Sequence, residues 1–268
     1  MSQSHFFNVD PTTQIHYVVD DHTDPWTTPS TLVLVHGNAE SALAWYAWIP
    51  YLARHHRVIR MDIRGFGQST PMAADYEWQM ATLINDITQL LNHLGIEKAH
   101  FIGAKSGGSM VLAFAALQPN RVHSLIAVTP PVVAAARVSL SLQQIEQDGV
   151  KSWARASMQG RLGQNVSEAE INFWVNEVQG RTARSTLQGY LRWVPKLDIR
   201  EDVKKITCPS LIITTQGNGL RSVDSVRSWQ QELPQSELLV IEGDAWHAAG
   251  AYPDQCAQAS ARFLSTLF

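Results

Sequence analysis

The sequence predicts an α/β fold built on a mostly parallel sheet. Short apolar runs that end in turn residues alternate with longer stretches of helical spacing, and chains with this alternation form buried parallel sheets covered by helices. The clearest helix extends from Trp78 to Leu94, where apolar side chains recur at intervals of three and four residues. The strand-like runs occupy residues 15–19, 31–35, 58–61, 100–102, 125–128, 211–215 and 237–241.

One interval, from Pro130 to about Trp193, departs from this alternation. It begins with two prolines and continues with polar, tryptophan-bearing helical stretches that contain no clear strand. We therefore predict a core formed by residues 1–129 and 200–268, with residues 130–199 inserted as a helical cap over one edge of the sheet.

In chain order, two polar loops follow early strands. HGNAES (residues 36–41) comes after the run 31–35, and DIRGFGQS (residues 62–69) comes after the run 58–61. Ligands of open α/β sheets bind outside the carboxyl ends of the strands, so these loops are expected to border a site.

The next element is a strand, a tight turn and a helix, AHFIGAKSGGS, at residues 99–109. This setting is typical of a nucleophile elbow, in which the central side chain is exposed at the end of a sheet. Gly103 and Gly107 occupy the positions where the turn leaves least room for a Cβ atom, which makes Lys105 the central residue. A shift of one residue would instead make Ser106 the nucleophile.

Composition limits the partners and the environment. The chain has 268 residues, 45% of them hydrophobic, and a net charge of -3, which suits one enzyme-sized core and offers no broad basic surface for nucleic acid or an anionic membrane. Cys208 and Cys256 form no metal-binding or disulfide pattern. We expect a cytoplasmic protein that acts on a small molecule without a metal or organic cofactor, and its oligomeric state stays open.

The order of several features along the chain resembles the α/β-hydrolase superfamily, and small lactonases and esterases above all. These features are the two loops, the elbow, the stretches ALQPNRVHSL and LDIREDVKKITCPSLII, and the late His247. The resemblance implies an eight-stranded, mostly parallel sheet with helices on both faces and a helical cap. It also implies a substrate with a reactive carbonyl group. The chain departs from the family pattern in having Lys105 where a serine is expected.

The resemblance assigns further roles around the elbow. His247 takes the place of the general base, and Asn218 takes the place of the acid that orients it, with Asp224 and Asp244 as substitutes. The backbone amides of Asn38 and Ser106 are expected to form an oxyanion hole. Trp45, Trp153 and Trp174 are candidates for contact with an apolar or aromatic substrate.

Lys105 decides which chemistry is expected. The nearby helix N-terminus and burial in a pocket both disfavour an ammonium ion, so we expect a lowered pKa. A neutral amine forms Schiff bases with carbonyl compounds, and it can also act as a base or, when protonated, as a cation that holds an oxyanion. If Lys105 instead pairs with an acid such as Glu40, the pocket is catalytically inactive.

Three functions remain open at this point. The first is a hydrolase-family enzyme that acts on an ester, a lactone or a β-diketone with Lys105 in its site. The second is an aldolase-like lyase that works through a Lys105 Schiff base, and the third is a catalytically inactive member of the fold that binds a ligand.

Overall fold

The computed structural model describes residues 2–134 and 138–267. The strands are β1 (Ser2–Asp10), β2 (Thr13–Asp20), β3 (Thr31–Val35), β4 (Arg57–Met61), β5 (Ala99–Ala104), β6 (Val122–Val128), β7 (Ser210–Thr215) and β8 (Ser236–Ile241). The α-helices are α1 (Ile49–Leu52), α2 (Met80–His93), α3 (Ser106–Leu117), α4 (Val138–Leu162), α5 (Glu168–Phe173), α6 (Arg184–Trp193), α7 (Arg200–Val203), α8 (Val223–Gln230), α9 (Ala248–Ala251) and α10 (Pro253–Ser265).

All eight strands form one sheet in the order β1-β2-β4-β3-β5-β6-β7-β8. The pairs β1–β2 and β2–β4 are antiparallel, and every other neighbouring pair is parallel. The predicted eight-stranded, mostly parallel sheet is therefore confirmed. The sequence runs did not include β1, because it is an edge strand that begins with the polar residues SQSH.

Both faces of the sheet are buried, as the continuous apolar character of its central strands requires. Along β3, Val33 and Val35 face a cluster that contains residues of α2 and α3, whereas Leu32 and Leu34 face a cluster that contains residues of α1, α9 and α10. Successive side chains of a strand point to opposite faces, so one short strand anchors two helical layers.

The segment between β6 and α7 is helical where the structure describes it. It contains α4, which is interrupted at Gly149 (φ 84°), a π-helical turn at Trp174–Gln179 that continues α5, and α6. A β-bridge between Val133 and Asp198 joins its two ends. Among the helices in the described ranges, none is long and apolar enough to cross a membrane.

Two sets of hydrogen bonds connect this segment to the connections that follow β8 and β4. At the end of α4, the carbonyls of Gly160 and Arg161 accept from the backbone N–H groups of Trp246 and His247 at 3.0 and 3.1 Å. Near the start of α6, the Thr186 hydroxyl accepts from the backbone N–H of Met72 at 2.8 Å. The segment is thus attached on both sides of the strand ends.

Candidate active site

The turn between β5 and α3 has the geometry of an elbow. Lys105 adopts φ 53° and ψ -125°, a conformation that is strained for any residue with a side chain. A Cβ atom on Gly107 would lie 2.2 Å from the carbonyl oxygens of Val35 and His36, and one on Gly103 would lie 2.4 Å from the Gly107 carbonyl oxygen. Only glycines allow α3 to start this close to β3, and the strained residue at the tip is Lys105.

Lys105 borders a cavity of about 340 Å³ at the carboxyl ends of the strands. The walls come from the elbow, the HGNAES loop, the helical segment and the loops after β7 and β8. They consist of Asn38, Lys105, Ser106, Pro131, Ala134, Arg161, Val194, Leu197, Leu220, Arg221 and Trp246. This set contains basic, polar and apolar side chains but no carboxylate.

The Lys105 amine is placed for chemistry that needs a neutral lysine. Its Nζ atom donates to the Trp246 carbonyl at 2.9 Å. Burial, followed by the charges of Arg161 and Arg221, lowers the pKa of Lys105 from 10.5 to about 7, and Glu40 only partly opposes this shift. The shift therefore favours the uncharged amine much more than in a solvent-exposed lysine.

Glu40 is the buried acid of the site, and its partners lie in three different parts of the chain. Its Oε2 atom accepts from the Gly37 amide at 2.9 Å, and its Oε1 atom lies 2.9 Å from Arg161 Nη1 and 2.7 Å from His247 Nε2. Burial opposes ionisation, but the interactions with His247 and Arg161 outweigh it and lower the pKa of Glu40 to about 2. Glu40 is therefore ionised, and its hydrogen bonds go to groups other than the Lys105 amine.

Arg161 has a second buried partner. When the Gln179 amide is oriented so that its oxygen faces Arg161, this oxygen accepts from the guanidinium at 2.9 to 3.2 Å. Because Arg161 is held by both Glu40 and Gln179, its charge is largely compensated inside the protein.

His247 is oriented by contacts on both ring nitrogens. Its Nδ1 atom accepts from the Gly250 amide at 3.1 Å, so the proton of the neutral ring is on Nε2 and is donated to Glu40. Burial lowers the pKa of His247, which favours this neutral form. We predicted a general base that faces the substrate, but in this geometry neither ring nitrogen is free to take a proton.

The acids predicted to support His247 lie elsewhere. The Asn218 side chain accepts from the Leu220 amide of its own loop at 3.0 Å, whereas the ring nitrogens of His247 bond to Glu40 and Gly250. Asp224 pairs with Arg227 on α8. Asp244 accepts from the Gln164 amide. The residue that does contact His247, Glu40, lies in the HGNAES loop, three residues after Gly37.

The two residues predicted to form an oxyanion hole both border the cavity. The Ser106 N–H is the first of α3 and has no partner within the helix. The Ser106 hydroxyl is buried beside the Tyr190 hydroxyl, and the buried side-chain oxygen of Asn38 has no hydrogen-bond partner among the described residues. These groups are available to a ligand, although Ser106 has no histidine as a base.

The three predicted substrate-binding tryptophans do not border the cavity. Trp45 packs edge-on against Trp48 at 5.0 Å, in the core on the other face of the sheet. Trp153 is buried within the helical segment, and the Trp174 ring packs against His247 at 5.4 Å. Their large apolar surfaces stabilise the two cores, and Trp246 is the tryptophan that lines the cavity.

A serine, histidine and aspartate chain exists away from this cavity. Ser4 Oγ lies 2.7 Å from His16 Nε2, and His16 Nδ1 lies 2.7 Å from Asp62 Oδ2. The Asp62 carboxylate also accepts from the amides of Ala42 and Gln68, which ties β1 and β2 to the loop after β4. We interpret this chain as structural, because none of its members borders the cavity that contains Lys105.

The described residues contain no group of three or more His, Cys, Asp or Glu side chains that could hold a metal ion.

Comparison with known proteins supports the fold and a hydrolase relationship. A model of the alpha/beta hydrolase fold family matches residues 30–169. The (E)-2-((N-methylformamido)methylene)succinate hydrolase of Acinetobacter baylyi is 24% identical over 269 residues, covering 94% of each chain. A pimeloyl-acyl-carrier-protein methyl ester esterase of Aeromonas hydrophila is 24% identical over 237 residues, covering 84% of this chain and 91% of the relative. The enol-lactonase of Burkholderia xenovorans LB400 superposes with a TM-score of 0.87 at 19% identity, covering 97% of this chain and 100% of the lactonase.

Proposed function

Because the chain belongs to the alpha/beta hydrolase fold family, we propose that it hydrolyses a small carbonyl substrate through the amine of Lys105, and that the substrate is a β-diketone. The observation that carries this proposal is the position of Lys105, which borders the cavity with a pKa of about 7. The hydrolase relatives support a reaction in which water cleaves the substrate.

The amine selects among the substrate classes. Attack of Lys105 on an ester or a lactone would give an amide, and an amide on a lysine is too stable to act as a turnover intermediate. Attack on a ketone gives an imine, which water reverses and which withdraws electrons from the neighbouring carbon. In a β-diketone, an imine at one ketone can accept the electron pair of the carbon–carbon bond that breaks when water adds to the other ketone.

The reaction balances with water as the only co-reactant. Lys105 attacks one ketone and, with loss of one water, forms a protonated imine. Water adds to the other carbonyl, and collapse of this adduct breaks the carbon–carbon bond and sends its electron pair into the imine, which becomes an enamine. Protonation at carbon and addition of another water release the ketone and restore Lys105. The sum consumes one water and yields one carboxylic acid and one ketone.

The cavity also supplies groups for the adduct that forms when water adds. The N–H groups of Asn38 and Ser106 are donors in this proposal, and amides aimed at a developing oxyanion typically contribute a factor of about 100 to 1,000 in rate. The proposal does not use His247 as a base, because its ring is held by Glu40 and Gly250.

The test is reductive trapping with acetylacetone. The protein is incubated with acetylacetone and cyanoborohydride near neutral pH, digested, and mapped by mass spectrometry, while acetate release is measured without the reductant. We expect the adduct on Lys105, and we expect Lys105→Met to lose both trapping and acetate release. Lys151→Met, which removes an exposed lysine of α4, is the matched control and retains both.

Other results separate the alternatives. If an adduct is trapped on Lys105 but no β-diketone is hydrolysed, the aldolase-like reaction replaces hydrolysis as the assigned function. Turnover that survives Lys105→Met but not Ser106→Ala would overturn the proposal in favour of a serine enzyme. If neither trapping nor turnover occurs with a panel of carbonyl compounds, the chain is a ligand-binding member of the fold.

A further inference from the structure

Arg221 is a half-buried cation that has no acidic partner among the described residues. It lies in the loop after β7 and borders the cavity that contains Lys105. Its Nη2 atom donates to the Val133 carbonyl at 2.6 Å. Within residues 2–134 and 138–267, no carboxylate lies within ion-pair distance of its guanidinium, although such groups are rarely buried without a partner.

The charges around the cavity are unbalanced. Lys105, Arg161 and Arg221 contribute basic groups to the lining, and the acid closest to them in the network is Glu40, which is already bonded to Arg161. Burial lowers the pKa of Arg221, as expected for a cation that has lost water without gaining an anion. An anionic ligand would supply the missing charge.

Further donors face the same space. Ser106 is only 7% exposed, and its hydroxyl, which interacts with that of Tyr190, belongs to the cavity lining. The unpaired N–H groups at the start of α3, a helix of 12 residues, add partial positive charge beside this hydroxyl. A guanidinium, a hydroxyl and a helix N-terminus together form a recognition site for a carboxylate.

The rest of the lining is apolar and limits the size of the ligand. It is formed by Pro131, Ala134, Val194, Leu197, Leu220 and Trp246. These side chains suit a short hydrocarbon chain attached to the charged group.

We propose that Arg221 binds a carboxylate of the substrate, so that the natural substrate is an anionic carbonyl compound such as a dioxo acid. This inference deepens the proposed function, on which its assignment of the reacting ketone rests. The binding of the carboxylate can be measured separately from the reaction at Lys105, although the charge of Arg221 also lowers the pKa of Lys105.

Binding is tested first with ligands that have no ketone that could react with Lys105. Isothermal titration calorimetry compares pentanoate with pentanol, which share the hydrocarbon chain and differ in charge. We expect pentanoate to bind more tightly than pentanol by about tenfold or more, and we expect Arg221→Gln to weaken pentanoate by about 10- to 100-fold, the range for a hydrogen bond to a charged group. Arg221→Lys should keep part of the affinity, because it retains the charge but loses the planar pair of donors.

The control for surface charge and stability is Arg227→Gln. Arg227 lies on α8 and pairs with Asp224, so its removal changes the net charge equally without touching the cavity. It should leave pentanoate binding unchanged. Equal affinity for pentanoate and pentanol, or equal weakening by the Arg227 and Arg221 substitutions, would overturn the inference.

Turnover provides the second arm and separates this inference from the proposed function. Arg221→Gln should lower kcat/KM for acetylpyruvate by about 10- to 100-fold more than it lowers that for acetylacetone, which lacks the carboxylate but shares the dependence on the pKa of Lys105. If pentanoate binds through Arg221 but nothing is trapped on Lys105, the proposed chemistry fails and the ligand class stands. If acetylacetone is trapped and cleaved but Arg221→Gln affects both diketones equally, the ligand class fails and the chemistry stands.

Discussion

At the scale of single residues, Lys105 combines two unfavourable features. Its backbone has a positive φ, and its ammonium group is buried next to Arg161 and Arg221. Either feature lowers stability, and neither improves packing. Strained and desolvated residues cluster at functional positions, which supports a functional role for Lys105.

Replacing Lys105 with Met should therefore stabilise the folded chain, with an effect that depends on pH. The amine titrates near 10.5 in the unfolded chain and near 7 when folded. Between these values the unfolded state binds a proton that the folded state lacks, so wild-type stability rises with pH. The advantage of Lys105→Met is largest below about pH 7, on the order of a few kcal/mol, and shrinks as the pH approaches 10.

Urea denaturation at several pH values measures this effect, with Lys151→Met as the control for loss of a lysine. A difference in unfolding free energy between wild type and Lys105→Met that stays constant from pH 7 to 10 would contradict a lowered pKa at Lys105.

The sequence predicted the direction of this pKa shift but only part of its cause. A nearby helix N-terminus and burial can be inferred from the local pattern. The charges of Arg161 and Arg221 cannot, because the helical segment and the loop after β7 are brought to Lys105 only by the tertiary fold.

At the scale of elements, the strand, turn and helix around Lys105 were the most predictable part of the site. The requirement for small residues is local, so Gly103 and Gly107 reveal the turn without knowledge of the rest of the chain. The loop after β7 is not predictable in the same way, because the role of Asn218 rests on the resemblance alone and the partner of a side chain depends on the path of its loop. Asn218 hydrogen-bonds within that loop instead.

Gly107→Ala should prevent the elbow from forming. The added methyl group would lie 2.2 Å from two backbone oxygens of β3 and its loop, which cannot move without separating α3 from the sheet. We expect a loss of at least about 3 kcal/mol in unfolding free energy, or no soluble protein. Gly219→Ala is the matched control, since a methyl group there meets nothing within 4 Å, and it should change stability by less than about 0.5 kcal/mol. Equal stability of the two variants would show that α3 can move away from β3.

At the scale of the whole molecule, the site is assembled from parts that are far apart in the sequence. Glu40 is separated by 121 residues from Arg161 and by 207 from His247, yet one carboxylate oxygen meets both. The sequence order of an α/β-hydrolase predicted that the HG loop and His247 would converge at the strand ends. It did not predict that Glu40, Arg161 and His247 would form one network, because the position of the helical segment determines that contact.

The helical segment should therefore unfold together with the sheet, and Thr186 provides a test. Thr186→Val keeps the shape of this fully buried side chain but leaves the Met72 N–H without its partner at 2.8 Å. An unpaired buried donor costs about 1 to 3 kcal/mol, so the urea midpoint should fall by that equivalent. Thr28→Val, at an exposed position, is the control and should change little. Because α4 remains bonded to the loop after β8, we expect one transition for both tryptophan fluorescence and far-ultraviolet circular dichroism. Separate transitions for the two signals would mean that the segment over Lys105 opens independently of the sheet.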